Sequence, residues 1–171
     1  MAKIGIFYGS STEKTAKAAK QIHAVLGGDN IADLFDIGDY EVTELLEYDY
    51  LILGCPTWNI GDIQEDWKKV FGALDQLDFS GKTVAYFGTG DQINYAENFQ
   101  DAMGLLEEKI AGCGGKTVGL WSALGYNHTA SKALRGDQFC GLALDEDNEF
   151  FRTSERIQEW CAQLKQEFEL N

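Results

Sequence analysis

Short apolar stretches punctuate the chain, spaced so that a helix fits between most of them. Residues 3–8 (KIGIFY), 50–55 (YLILGC), 82–88 (KTVAYFG), 116–121 (KTVGLW) and 139–144 (FCGLAL) are near-continuous runs of the kind buried on both faces of a parallel sheet, and 31–35 is a weaker run. Between them Ala16, Ala19, Ile22 and Leu26 recur at helical spacing, as do Ile157, Trp160, Cys161, Leu164 and Phe168 near the end. This alternation predicts a doubly wound α/β sheet with right-handed crossovers, whose ligand site lies beyond the carboxyl ends of the strands. The polar excursion 122–138 (SALGYNHTASKALRGDQ) separates two strand-like runs that both suit the last strand position, so it reads as an insertion. With no repeat, linker or low-complexity run, residues 1–171 are expected to form one domain.

The ligand-site rule points to the segments that follow strands: SSTEKT (10–15), PTWNIGD (56–62) and GTGDQINYAENF (88–99). A loop entering a helix offers unpaired N–H groups and the positive end of the helix dipole, which favour a phosphate, and Ser10, Ser11, Thr12 and Thr15 add neutral donors. Capping of the helix by Ser11 or Thr12 is the alternative use of those hydroxyls. Neither GxxxxGK[ST] nor GxGxxG is present after this strand, so a single monophosphate fits better than a triphosphate or a dinucleotide. Trp58 stands where its ring could stack on a flat heterocycle or merely pack, and Tyr95 supplies a second aromatic after the Gly88–Asp91 turn.

Composition narrows the partners. The chain carries 28 acidic and 14 basic residues, a net charge of −14, which repels nucleic acid and anionic membrane and favours basic protein surfaces. No apolar run approaches the ~18 residues of a membrane span, and no charged leader precedes the first strand, so a soluble cytoplasmic protein is expected. Cys55, Cys113, Cys140 and Cys161 form no CxxC pair and read as free, mostly buried thiols; with only His23 and His128 besides, metal or imidazole chemistry has little to work with.

YGSSTEKT, CPTWNIGD, YFGTGDQINYAENFQDA and GLALDEDN, in that order, resemble the signatures of the long-chain flavodoxins of cyanobacteria and algae. The resemblance implies a three-layer α/β/α sandwich around a five-stranded parallel sheet of order 2-1-3-4-5, its last strand interrupted by the 122–138 insertion. It also implies non-covalently bound FMN, a monomer, and low-potential one-electron transfer between semiquinone and hydroquinone in place of ferredoxin. The partners it implies are ferredoxin–NADP reductase, photosystem I and other ferredoxin-dependent reductases. By the same resemblance Ser10, Ser11, Thr12, Lys14 (through its backbone N–H) and Thr15 hold the phosphate, and Trp58 and Tyr95 cover the two ring faces. Thr57, Asn59, Ile60 and Gly61 meet one ring edge, Thr89, Gly90, Asp91 and Asn98 line the other side, and Asp147 reaches the sugar-like chain. No residue is expected to act as acid, base or nucleophile, because the cofactor supplies the redox chemistry.

Some positions depart from the family pattern. Glu13 stands where glycine is usual; it is expected to sit helically in the first turn with its carboxylate in water, where the dipole favours it, the alternative being a strained positive φ. Asn94 also replaces a common glycine, with a left-handed conformation within its reach. His128 and Cys140 replace an aromatic and a valine in and beside the insertion. An FMN-dependent NAD(P)H or quinone reductase would share the fold, and a signalling receiver domain would share the βα alternation, but the receiver's acidic cluster is replaced here by Tyr8-Gly9-Ser10 and its later aspartate by Cys55-Pro56.

Overall fold

The computed structural model describes residues 3–10, 12–58 and 60–170. In chain order the regular elements are β1 (Ile4–Tyr8), α1 (Lys14–Leu26), β2 (Ala32–Asp36), β3 (Tyr50–Trp58), β4 (Asp62–Ile63), α2 (Glu65–Phe71), β5 (Thr83–Thr89) and α3 (Asp101–Gly112). There follow β6 (Lys116–Val118), β7 (Trp121–Ser122), β8 (Leu134–Arg135), β9 (Gln138–Phe139), β10 (Leu142–Leu144), α4 (Glu146–Glu149) and α5 (Thr153–Glu167).

The central sheet runs β2-β1-β3-β5, all parallel, with β6 and β10 both pairing to the outer edge of β5. The fifth strand position is therefore filled twice: Lys116–Val118 continue the register beside Thr83–Ala85, and Leu142–Leu144 resume it beside Phe87–Thr89. Between them the insertion forms its own antiparallel sheet, β7-β9-β8. The two apolar runs expected as single strands are thus each divided between sheets. The first breaks at Gly119, where φ is +78 and the carbonyl accepts the Trp160 indole N–H at 2.8 Å, a conformation that a side chain would strain.

The continuous apolar character of the strands follows from their two covered faces. Ile4, Ile6, Ile52, Ala85, Phe87, Leu142 and Leu144 pack with α1 and α5, where Ala18, Ala19, Ile22 and Leu26 meet Ile157, Trp160, Cys161 and Leu164. Ala18 takes the buried position expected of Ala16, which is half-buried. Phe7, Leu51, Leu53, Cys55, Val84, Tyr86 and Ala143 face the other way, toward Trp67 of α2, Met103, Leu106 and Ile110 of α3, and Phe139 and Cys140 beside the insertion. All four cysteines are free, with Cys113 the partly exposed one. No helix among the described residues is long and apolar enough to cross a membrane.

Candidate functional site: a cleft at the carboxyl edge of the sheet

The chain leaves β1 through Gly9 and Ser10, and the Gly9 N–H is tied to the Gly54 carbonyl at 3.1 Å. Helix α1 starts at Lys14 with Glu13 as its N-cap, at φ 67 and ψ −11. Glu13 is therefore left-handed, not a residue of the first turn as its charge suggested. Its carbonyl accepts the Lys17 N–H at 2.8 Å, the first helical bond, so it lies half outside the helix. The chain must reverse sharply to lay α1 back along the sheet, and one left-handed residue does so at about 1–2 kcal/mol.

Neither Thr12 nor Glu13 caps the helix: Thr12 is not the N-cap, and the Glu13 side chain makes no cap hydrogen bond. The amide hydrogens of the first turn thus lack helical partners, and no acidic side chain lies in that turn to oppose the dipole. Ser10 Oγ is buried without a hydrogen-bond partner among the described residues, a situation that is unfavourable unless an acceptor arrives from outside the chain. Thr15 is buried, and its Oγ1 lies 3.0 Å from Thr89 Oγ1, joining the first segment to the third. Ser11 lies outside the described residues. Lys14, expected to act through its backbone, also sends Nζ to Asp147 Oδ1 at 2.7 Å.

At the other end β3 runs further than its apolar core suggests, carrying Pro56, Thr57 and Trp58 as strand residues. Thr57 Oγ1 accepts the Ala102 N–H at 3.0 Å, anchoring β3 to α3. Because β4 pairs back on β3, with Trp58 opposite Asp62, Ile60 and Gly61 lie at the tip of a hairpin. Ile60 is 77% exposed there, and Asn59 lies outside the described residues. Gly61 has φ +84, and a Cβ on it would come within 2.9 Å of the Asp101 carboxylate, so both backbone and space require glycine.

The third segment is shaped by Asp91. Its Oδ1 accepts the Ile93 and Asn94 N–H groups at 3.0 and 2.9 Å and its Oδ2 accepts the Asn94 side-chain amide at 2.8 Å. Burial alone would raise the Asp91 pKa, but bonds from the Asn94 backbone, from the side chains of Asn148 and Asn94, and from the Ile93 backbone together hold it below the usual value. Asn94 makes its turn with these bonds and not with a left-handed backbone: the non-glycine residues at positive φ, among those described, are Glu13, Gln100 and Glu169. Tyr95, bonded by its N–H to the Asp91 carbonyl at 3.1 Å, is 45% exposed on this turn.

These ends enclose one cleft of about 320 Å³. Of the residues singled out from the sequence, Thr12, Lys14, Thr57, Trp58, Thr89, Gly90, Asp91, Tyr95, Asn98 and Asp147 line it. Ser10 and Thr15 are not among its lining residues, and Ile60 and Gly61 belong to the hairpin beyond Trp58. Pro56, Phe99 and Glu146 line it too and were missed, although each adjoins a residue already marked. Phe99 has His128 behind it, ring centroids 5.7 Å apart, and burial holds the His128 pKa down. His128 thus takes the aromatic role of the residue it replaces, packing also on Phe139 at 5.2 Å.

The cleft offers hydroxyls, amides, aromatic faces and carboxylates. Nucleophilic chemistry has little support. The nearest thiol, that of Cys55, is fully buried and pushed up to about 12, and no group of His, Cys, Asp and Glu among the described residues could hold a metal. What the arrangement can do is grip a molecule with an anionic tail and a flat body.

The sequence profile of the flavodoxin family matches residues 6–160. A flavodoxin of Picosynechococcus sp. is 55% identical over 99% of this chain and 100% of its own length. One from Nostoc sp. is 58% identical over 98% of each chain. Among solved structures, a Fusobacterium nucleatum flavodoxin bound to flavin mononucleotide superposes with a TM-score of 0.92 at 33% identity, covering 98% of this chain and 99% of that one. With fold, cleft and sequence agreeing along nearly its whole length, the chain belongs to the flavodoxin family.

Proposed function

We propose that this protein binds FMN in the cleft described above and carries single electrons between redox proteins, as an electron-transfer protein without a substrate-turnover site of its own. The observation that carries this function is the meeting, in one cleft, of the start of α1, at Thr12 and Lys14, with the Trp58 and Tyr95 rings, just after a Ser10 hydroxyl that has no partner among the described residues. The donor set fits the group: neutral hydroxyls and backbone amides for a phosphate, indole and phenol faces for a flat ring.

Ser10, Ser11, Thr12 and Thr15, with the first-turn amides at Lys14, hold the phosphate. Trp58 and Tyr95 cover the ring; Thr57, Asn59, Ile60 and Gly61 meet one edge, and Thr89, Gly90, Asp91 and Asn98 the other. Asp147 holds the sugar-like chain. FMN when bound supplies the one-electron chemistry, and the protein sets its energy. Asp91, Glu146 and Asp147 line the cleft against a single lysine, Lys14, and the chain as a whole carries −14, so added negative charge in the cleft is disfavoured. That lowers the potential for accepting an electron; each ~1.4 kcal/mol moves a one-electron couple by about 60 mV. Trp58 and Tyr95 also exclude water from the ring, which strengthens the same effect.

The protein works in the cytoplasm as a substitute for ferredoxin, taking electrons from photosystem I or a reductase and passing them to acceptors such as ferredoxin–NADP reductase. Its acidic surface docks on basic patches, so transfer rates fall as ionic strength rises. Titration of the apoprotein with FMN, followed by flavin fluorescence and then by stepwise reduction, tests the function. Uptake of one FMN per chain and two resolved one-electron steps are expected. A protein that takes up no flavin, or one whose holoprotein oxidises NADPH rapidly without a reductase, would contradict it.

A further inference from the structure

The turn that carries Tyr95 folds about Asp91 and is also held from outside. The insertion holds it where the Thr129 and Ala130 N–H groups bond the Ala96 carbonyl and the Asn127 N–H bonds Gln92 Oε1, and the end of β10 with the chain after it holds the rest. The Leu144 carbonyl accepts the Gly90 N–H at 3.0 Å and the Gln100 side-chain amide at 3.1 Å, fixing both ends of the 90–100 loop. Asp145, wholly buried, accepts the Gln92 backbone N–H at 3.1 Å and its side-chain amide at 2.8 Å. Between these carboxylates sits Asn148, whose Nδ2 reaches Asp145 Oδ2 at 2.9 Å and Asp91 Oδ1 at 2.8 Å. Its backbone N–H also bonds Asp145 Oδ1, at 3.0 Å, so the side chain is already aimed when it meets Asp91.

Two carboxylates would repel each other across this gap. One amide donating to both turns the repulsion into a bridge. Asp91 is the residue about which the turn folds, through Ile93, Asn94 and Tyr95, and Asn148 is the one side chain from α4 that grips it. Asn148 itself does not line the cleft.

We propose that Asn148 is a positioning residue for the flavin-facing turn, setting the orientation of Tyr95 through Asp91 without touching the ligand. This rests on the function proposed above, and it places the control of ring-side affinity on a residue of α4, more than fifty positions away in the chain. The carboxylate pair explains why an amide is needed: aspartate at 148 would add a third negative charge, and leucine would leave Asp91 and Asp145 facing each other without a donor between them.

The test uses full-length apoprotein and two ligands, FMN and riboflavin, the second lacking the phosphate. Asn148→Leu, which keeps the branched shape and removes the donor, should weaken both by the same factor of about ten, the loss of the charge-assisted hydrogen bond to Asp91. In a Tyr95→Ala background the same substitution should change either affinity by less than about twofold, because the element it acts through is gone. Asn148→Ser, small enough to fold whatever the fate of the leucine variant, should show the same pattern. Equal losses with and without Tyr95 would overturn the positioning role and leave Asn148 as general scaffolding, as would a loss confined to FMN. Should wild-type apoprotein bind neither flavin, the function itself fails. Wild-type binding with no effect of either Asn148 variant sinks only this inference.

Discussion

Replacing Glu13 by glycine separates two effects that the structure places on one residue. The backbone at φ 67 is left-handed, which a side chain disfavours by about 1–2 kcal/mol and glycine does not. Against that gain, glycine loses about 0.4–1 kcal/mol through the greater freedom of its unfolded chain. The net is a stabilisation of the apoprotein by roughly 0.5–1 kcal/mol, a rise in thermal midpoint of about 1–4 °C for a chain of this size. The second effect is electrostatic. Glu13 is exposed beside the start of α1, where the phosphate is proposed to sit, and a carboxylate taken at one Debye length, about 8 Å at 0.15 M, from a dianion in water opposes it by about 1 kcal/mol, roughly fivefold in affinity at low salt and less at 0.15 M. Glu13→Ala removes the charge and keeps the strained backbone, so the pair of variants resolves the terms. Both should tighten FMN by a similar, salt-sensitive factor and leave riboflavin unaffected, while only glycine should raise the midpoint. Fluorescence titrations at two ionic strengths, with thermal melts of the three apoproteins, provide the readout. A midpoint for Glu13→Gly at or below that of Glu13→Ala refutes the strain argument, and equal tightening of riboflavin refutes the charge argument.

Trp58→Ala and Tyr95→Ala should each weaken FMN by about 5- to 150-fold, the usual worth of one aromatic stacking platform, and an unchanged dissociation constant for either would remove that ring from the site. Acid should loosen the turn around Asp91. Despite burial, hydrogen bonds hold the pKa values of Asp91 and Glu149 below their ordinary 3.8 and 4.5, so the stability they confer is complete above those values and is lost as pH falls below 4.5 and then 3.8. A melt series in which stability stayed flat down to pH 3 would contradict this. Burial pushes the thiols of Cys55, Cys140 and Cys161 up to about 12, whereas Cys113 is partly exposed. An aromatic disulfide reagent should therefore label one thiol quickly in the folded protein, and a rapid phase that survives Cys113→Ser would show a buried thiol to be accessible.

The parts of this structure that could be read from the sequence are those in which a local pattern and the tertiary demand coincide. Strands β1, β3 and β5 are covered on both faces, so their central residues are nearly all apolar and the run announces itself. That Trp58 and Tyr95 would meet at one cleft was legible because the carboxyl edge of such a sheet is fixed by topology before any side chain is placed. The strands of the insertion are two residues long and owe their existence to partners: Gln138 and Phe139 pair on both sides, and nothing in a two-residue run reveals that. Glu13 misled for a related reason. A carboxylate in the first turn of a helix is favourable, but whether position 13 lies in that turn or just before it depends on how sharply the chain must bend off β1, which is a property of the sheet and not of the residue. The bridge from Asp145 through Asn148 to Asp91 spans 54 residues of chain, and each member alone is an ordinary polar residue. Only folding brings the two carboxylates near enough to need a donor between them, so a contact of this kind comes into view when buried polar atoms are asked for their partners.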